Sequence, residues 1–355
     1  MLKLLVGIAL FAHQYGVTCA KCHSVIPHLN EFGTAFMANG ERFPQISSGP
    51  AVPLAVKVNV VDSSAYQGNG PNGQGLPKLI VDEVEAFTSA TIGSRANFFV
   101  EQYLVDGGEP GRLRDAWVAD RLNPWDSRIP LAIQGGQFTL PLPVDPETFR
   151  DTYQEYAPYV QRVGANPFEL FDAQPGVRLS AGNPLRGFNV QFFGGAGSEL
   201  YAQQAMGALT LSFFRYGGSQ PIGTTSLDHF TRTGYGVTYG QWMRFSSEAV
   251  LVQGWDSNCG IPPFPSTPLR AGSLRAGPGC ASSGGFEQIR YAFGRRLFAE
   301  ARYEGTNDPT NGFTRDGVVL LGYGPTENSR VTIENVIAHS PRTSNTMNAQ
   351  FTIAY

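Results

Sequence analysis

Cys19, Cys22 and His23 form the run Cys19-Ala20-Lys21-Cys22-His23 near the start of the 355-residue chain. Two thiols three positions apart can reach the two vinyl groups of a haem, and the adjacent imidazole then falls under the iron. The run points to one covalently attached haem c, with Cys19 and Cys22 as the attachment positions and His23 as the proximal axial ligand. Three other readings compete: a thioredoxin-type redox pair, half of a zinc site, and a chance match. A redox pair belongs between a strand and a helix of a βαβ unit, and a zinc site needs a second ligand pair at close spacing. Neither context surrounds these residues.

The sixth iron position is open. His13, His28 and Met37 are near in sequence, while His229 and His339 lie on strand-like segments. Met37 is the candidate distal ligand, and a thioether there would raise the potential relative to imidazole. It reads equally well as a packing residue on a short helix. His28, five residues past His23, is awkwardly placed to reach the opposite haem face.

The elements that must position these residues are sparse at first. Leu29, Phe32, Phe36 and Met37 fall at helical spacing, and Asn39-Gly40 supplies a C-terminal stop. From Pro44 to Pro53 the chain turns to Pro, Ser and Gly. One short helix cannot wall off a porphyrin, so later parts of the chain must supply the pocket. Before the motif, Met1 to Ala12 carries one positive charge and then a short apolar run. It reads as a secretory signal cut near Ala12, too short to span a bilayer, with a buried N-terminal element as the alternative. Export agrees with haem c, which bacteria attach outside the cytoplasm.

Charged residues make up only 15% of the chain, against about 25% in ordinary soluble proteins. Less charge is available for a water-facing surface. The net charge of -3 and the lack of a Lys/Arg cluster among aromatics exclude a nucleic-acid partner.

From Val52 onward the pattern is short period-two segments between turn residues. Leu54, Val56, Val58 and Val60 alternate with Ala55, Lys57 and Asn59, and Tyr235, Val237 and Tyr239 with Gly236, Thr238 and Gly240. Leu297, Ala299, Ala301 and Tyr303 alternate with Phe298, Glu300, Arg302 and Glu304. The last stretch, Met347, Ala349, Phe351, Ile353 and Tyr355 against Asn348, Gln350, Thr352 and Ala354, ends on an aromatic. It resembles the terminal signal of outer-membrane barrels. An apolar outer face, a polar inner face and no tolerated open edge together predict a transmembrane antiparallel β-barrel rather than a soluble sandwich. About fifteen segments can be counted, and an even closure predicts sixteen strands, with fourteen as the alternative.

The expected organisation is a signal peptide over 1–12, a haem segment over 13–50 and a barrel over 51–355. Three longer loops interrupt the strands: Gln67 to Pro77, Pro143 to Leu170 with a short helix, and Cys259 to Cys280. In an oxidising compartment the last pair is expected as a Cys259–Cys280 disulfide, which could stabilise its loop by roughly 3 kcal/mol. Glu300, Glu304 and Glu334, on the inner face, could attract a metal cation, or else pair with Arg302 and Arg330.

The haem motif followed by Pro27-His28-Leu29-Asn30-Glu31-Phe32-Gly33-Thr34-Ala35-Phe36 and Asn39-Gly40 resembles the start of the fused monohaem cytochrome-porins of iron-oxidising bacteria. Gln134 to Pro143 and Val163 to Phe168 resemble the barrel part of that family. Glu41 departs from it, since its members often continue Asn-Gly-Tyr. The resemblance implies a bacterial outer-membrane protein with its haem segment inside the barrel lumen. It also implies single-electron transfer from an extracellular donor, Fe(II), to a periplasmic carrier, an Fe(II):cytochrome c-type oxidoreductase if catalytic. A passive porin with a structural haem plug and a soluble periplasmic cytochrome are the alternatives.

Overall fold

The computed structural model describes residues 10–38, 42, 54–64, 79–93, 95–124, 127–222, 226–258, 279–309, 312–340 and 342–355. An N-terminal segment comes first: helix α1 (Leu10–Tyr15), a single 3-10 turn over Cys19–Lys21, the small antiparallel pair β1 (His23–Val25) and β2 (His28–Leu29), and helix α2 (Glu31–Ala38). The wall begins with β3 (Leu54–Ser63), β4 (Leu79–Ile92), β5 (Ala96–Asp106), a spur β6 (Glu109–Pro110), β7 (Leu113–Arg121) and β8 (Leu131–Phe138). It continues with β9 (Gln174–Gly182), β10 (Gly187–Gly195), β11 (Gly197–Met206), β12 (Leu209–Ile222), β13 (Ser226–Tyr239) and β14 (Phe245–Asp256). The last five strands are β15 (Cys280–Ala292), β16 (Leu297–Asp308), β17 (Gly312–Tyr323), β18 (Ser329–Ser340) and β19 (Arg342–Ala354).

Each wall strand pairs antiparallel with its neighbour in sequence, and β19 returns to pair with β3, closing the barrel. The seam is tied at the last residue: Val56 N donates to Tyr355 O and Tyr355 N to Val56 O, both at 2.7 Å. Because β5 also pairs directly with β7, the spur adds no wall, and the barrel has sixteen strands rather than fourteen. Among the described residues every wall strand has a paired strand on both sides, so the sheet has no open edge strand, as hydrocarbon requires.

The period-two pattern sorts as its chemistry demands. On β16, Phe298, Glu300, Arg302 and Glu304 face inward and are buried, while Leu297 and Tyr303 are exposed. Met347 and Phe351 on β19 face out, and Asn348, Gln350 and Thr352 face in. Exposed Leu251, Val319 and Ile333 form part of an outer apolar band, flanked at one rim by Tyr239, Tyr291, Tyr323 and Tyr355. Trp255 and Phe313 stand toward the other rim. A polar interior inside an apolar exterior is the inverse of a soluble sandwich, so that alternative falls.

The rim bearing Tyr355 carries short turns at 183–186, 207–208, 240–244, 293–296 and 324–328. The opposite rim gives rise to residues 139–173, between β8 and β9, which fold inward and fill the lumen with buried Phe149, Tyr156, Tyr159 and Phe168. The helix expected within this loop does not form. Pro141, Pro143, Pro146, Pro158 and Pro167 interrupt any helical ladder, leaving isolated turns such as Phe149 N to Asp145 O at 3.0 Å. Small wall residues admit the loop: a Cβ on Gly236 of β13 would overlap Pro143. The Gln67 to Pro77 loop lies outside the described residues, as does Cys259. Its expected partner Cys280 is buried at the start of β15, packed with Val163 of the inward loop.

Candidate functional site

Asn30 organises the haem-type motif. Its backbone N–H donates to Cys22 O at 2.9 Å, and its side-chain amide donates to Lys21 O at 3.2 Å. Its Oδ1 accepts from Gly33 N at 2.9 Å, capping α2. One side chain thus fixes both the Cys-x-x-Cys turn and the helix that follows. Gly33 is needed where α2 crosses the motif, because a Cβ there would overlap the Cys22 carbonyl oxygen.

Neither Cys19 nor Cys22 is in a disulfide. Burial, with the Cys19 thiol beside it, pushes the Cys22 thiol up to about 11. His23 Nδ1 lies 2.9 Å from Pro27 O, so the ring donates from Nδ1 and leaves Nε2 as the nitrogen with a lone pair. Burial holds this imidazole down to about 4, in the neutral form that binds metal. Cys19, Cys22, His23 and Met37 all line one cavity of about 810 Å³, whose far wall includes Phe99 and Trp117 of the barrel. Two thiols, a tautomer fixed by a backbone carbonyl and a cavity with aromatic residues on part of its lining fit a covalently attached haem c.

The N-terminal segment sits in the barrel mouth on the short-turn rim. Trp242 Nε1 donates to Thr34 Oγ1 at 3.1 Å, and Val25 packs with Phe298 and Leu320. Phe11 meets Phe36 at 4.9 Å between ring centroids and stacks on Phe99 of β5 at 6.1 Å. Residues 10–12, which the expected signal cleavage would take in, are thus part of this packing. Residues 1–9 lie outside the described residues.

Among the other histidines, His28 points away from the cavity: Nδ1 lies 3.3 Å from Asp151 Oδ2, and Nε2 lies 3.4 Å from Gln241 O. Burial, then the nearby Arg290, lowers its pKa. His229 and His339 face outward on the wall, bonded to Ser219 and Thr343. None of these three stands in the cavity with His23. The side chain of His13 lies outside the described residues. Among the candidates whose side chains are described, Met37 alone shares the cavity.

The inner carboxylates clamp the inward loop. Glu304 accepts from Arg302 Nη2 at 3.3 Å and from Ala157 N at 3.0 Å. Glu334 accepts from Tyr153 N at 2.8 Å and Asn348 Nδ2 at 3.0 Å. Arg302 donates onward to Thr152 Oγ1 at 2.6 Å and Gln154 O at 2.7 Å. Of the two expected pairings, Arg302 does find Glu304, whereas Arg330 turns to Asp151 at 3.3 Å and Gln350 at 3.2 Å. Asp151, fully buried, also receives Arg290 Nε at 2.6 Å. This residue joins the loop, the wall and His28. Glu101, Asp115 and Glu147, which line the cavity, were likewise not singled out by sequence.

No family model matches the sequence, and no curated protein matches it. Solved structures do match its fold. An anion-selective porin from Comamonas acidovorans superposes with a TM-score of 0.60 at 11% identity, over 86% of this chain and 99% of that one. The outer membrane channel DcaP of Acinetobacter baumannii gives 0.58 at 10% identity, over 86% and 97%. OmpF of Salmonella typhi, in complex with daunomycin, gives 0.57 at 10%, with the same coverage. At such identities the likeness establishes a porin-like barrel and nothing finer.

Proposed function

We propose that this chain is an outer-membrane cytochrome-porin that passes single electrons from an extracellular donor, Fe(II), to a periplasmic carrier. The observation that carries the reading is the cavity at the barrel mouth that Cys19, Cys22 and His23 line together, with His23 Nδ1 engaged by Pro27 O. Cys19 and Cys22 would hold the haem covalently, His23 Nε2 would take one axial position, and Met37 is the candidate for the other. When bound, the haem supplies a one-electron couple. The protein residues fix the imidazole tautomer and shelter the site behind aromatic side chains. Short turns face the periplasm in bacterial barrels, so a haem at this mouth would stand near the periplasmic carrier. The inward loop and its clamps fill the lumen above it, which favours electron passage over solute passage.

The test is anaerobic addition of Fe(II) to the oxidised, detergent-purified protein while haem absorbance is followed. Reduction of one haem per added Fe(II) is expected. Folded, haem-loaded protein that stays oxidised would overturn the reading. A second reading, a passive porin with a structural plug, is favoured by the comparisons, since the structural neighbours include an anion-selective porin. Planar-bilayer conductance separates the two. The plug-filled lumen predicts conductance well below that of an open porin, and porin-like conductance would favour the second reading.

A further inference from the structure

Glu101 of β5 and Asp115 of β7 are direct cross-strand partners, so both side chains leave the wall toward the lumen. Each is only 7% exposed. Glu147 of the inward loop joins them, and one carboxylate oxygen from each of the three lies within 4.8 Å of the others. Like charges directly opposite on a sheet destabilise it, and more so away from water.

The neighbouring cations do not resolve this. Arg114 donates from Nε at 2.9 Å and from Nη2 at 2.7 Å, both to Glu147 Oε1, which also accepts from Thr139 Oγ1 at 2.7 Å. All three bonds fall on one oxygen, and none uses Oε2. Lys57 is committed to Glu85, with Nζ 2.6 Å from Oε1. Asp115 Oδ1 is buried and has no hydrogen-bond partner among the described residues. A buried carboxylate oxygen without a donor is costly, and an ion at the site is one of the few arrangements that satisfies it.

We propose that Glu101, Asp115 and Glu147 together bind one divalent metal cation of the oxygen-preferring class. The donors are all carboxylate oxygens, which suit hard cations rather than soft ones. Arg114 is the cation bonded to the cluster, through Glu147, while Lys57 and Arg178 nearby are engaged with Glu85 and Gln134, so the cluster keeps an excess of negative charge that a divalent ion offsets. Such an ion ties the inward loop, through Glu147, to β5 and β7. It also sits on the same cavity as His23. The inference is independent of whether a haem is attached.

The experiment is a Mn²⁺ titration of metal-stripped, detergent-purified full chain, with free Mn²⁺ read by electron paramagnetic resonance. One Mn²⁺ per chain is expected. The Glu101→Gln/Asp115→Asn double variant should bind at least about tenfold more weakly, since loss of even outer partners of a metal site costs that much. Glu199→Gln, a buried lumen carboxylate on β11 outside the cluster, should bind as the unaltered chain does. Both changes keep side-chain shape, and heat-modifiable gel migration checks that the barrel has formed. Glu101→Gln alone serves if the double variant fails to fold. The proposal is overturned if the unaltered chain binds no Mn²⁺, if the cluster variants bind as tightly as it does, or if Glu199→Gln weakens binding equally.

Discussion

Asp151 is the residue whose loss should be felt most widely. Its carboxylate is fully buried, with Arg290 Nε at 2.6 Å, Arg330 Nη1 at 3.3 Å and His28 Nδ1 at 3.3 Å. Asp151→Asn would deprive two buried guanidiniums of the carboxylate they bond, with Glu300 the carboxylate directly across the sheet from Arg290. Arg330 keeps Asp151 O at 3.1 Å and Gln350 at 3.2 Å, whereas Arg290 loses its 2.6 Å bond and keeps its stacking over Phe298 at 4.5 Å. Removing one partner of a buried pair costs about 3–5 kcal/mol, and Arg290 carries most of it here. Guanidinium chloride unfolding of the detergent-purified barrel should show that loss as a lower midpoint at pH 7. Burial opposes the Asp151 charge, yet Arg290, with His28 and Arg330, outweighs it and holds the carboxyl below the usual carboxylate range. A depressed folded value means that the stabilisation is complete above the unfolded value of about 3.9 and is lost as pH falls through the folded one. The gap between the two proteins should therefore narrow on acidification below about pH 4. A variant within about 0.5 kcal/mol of the unaltered chain at pH 7 would refute the reasoning, because substitutions away from such features stay in that range.

Further outcomes follow from the motif and the wall. Gly33→Ala should displace α2 from the Cys22 carbonyl and lower the yield of haem-loaded protein without preventing barrel closure, read as haem absorbance per folded barrel. Asn30→Ala removes the α2 cap and the hold on Lys21, and should cost about 1 kcal/mol locally, visible as faster proteolysis of the N-terminal segment while the wall stays resistant. Gly236→Val should push Pro143 off β13 and raise planar-bilayer conductance. Intact mass under non-reducing conditions should be 2 Da below that with reductant for the Cys259–Cys280 pair, and equal masses would rule the bond out.

The wall was legible because its signal is local. Each strand announces itself by alternation, and the evenness of closure turns about fifteen visible segments into sixteen. The Cys-x-x-Cys-His run and α2 were legible for the same reason, since Phe32, Phe36 and Met37 act within a few residues, although Leu29, expected at helical spacing with them, pairs in β2, and the Asn39-Gly40 stop lies outside the described residues. What sequence could not convey is anything set by register or by an inward fold. Glu101 meets Asp115 only through the β5–β7 register, which shifts at Glu101/Gln102. Asp151 meets Arg290 and Arg330 across 139 and 179 residues. The stretch from Pro143 to Leu170 read as a longer loop with a short helix, and its inward course, set by contacts such as that between Pro143 and Gly236 of β13, carries no local signal.

The proposed electron transfer needs a porphyrin joined covalently to Cys19 and Cys22 at the mouth of the barrel. It is tested most directly by a reduced-minus-oxidised spectrum of the detergent-purified full chain, made in a host that matures c-type cytochromes, before and after acid-acetone extraction. A c-type difference spectrum that survives extraction and is absent from the Cys19→Ala/Cys22→Ala variant is expected. A folded but colourless barrel, or colour that extraction removes, would contradict it.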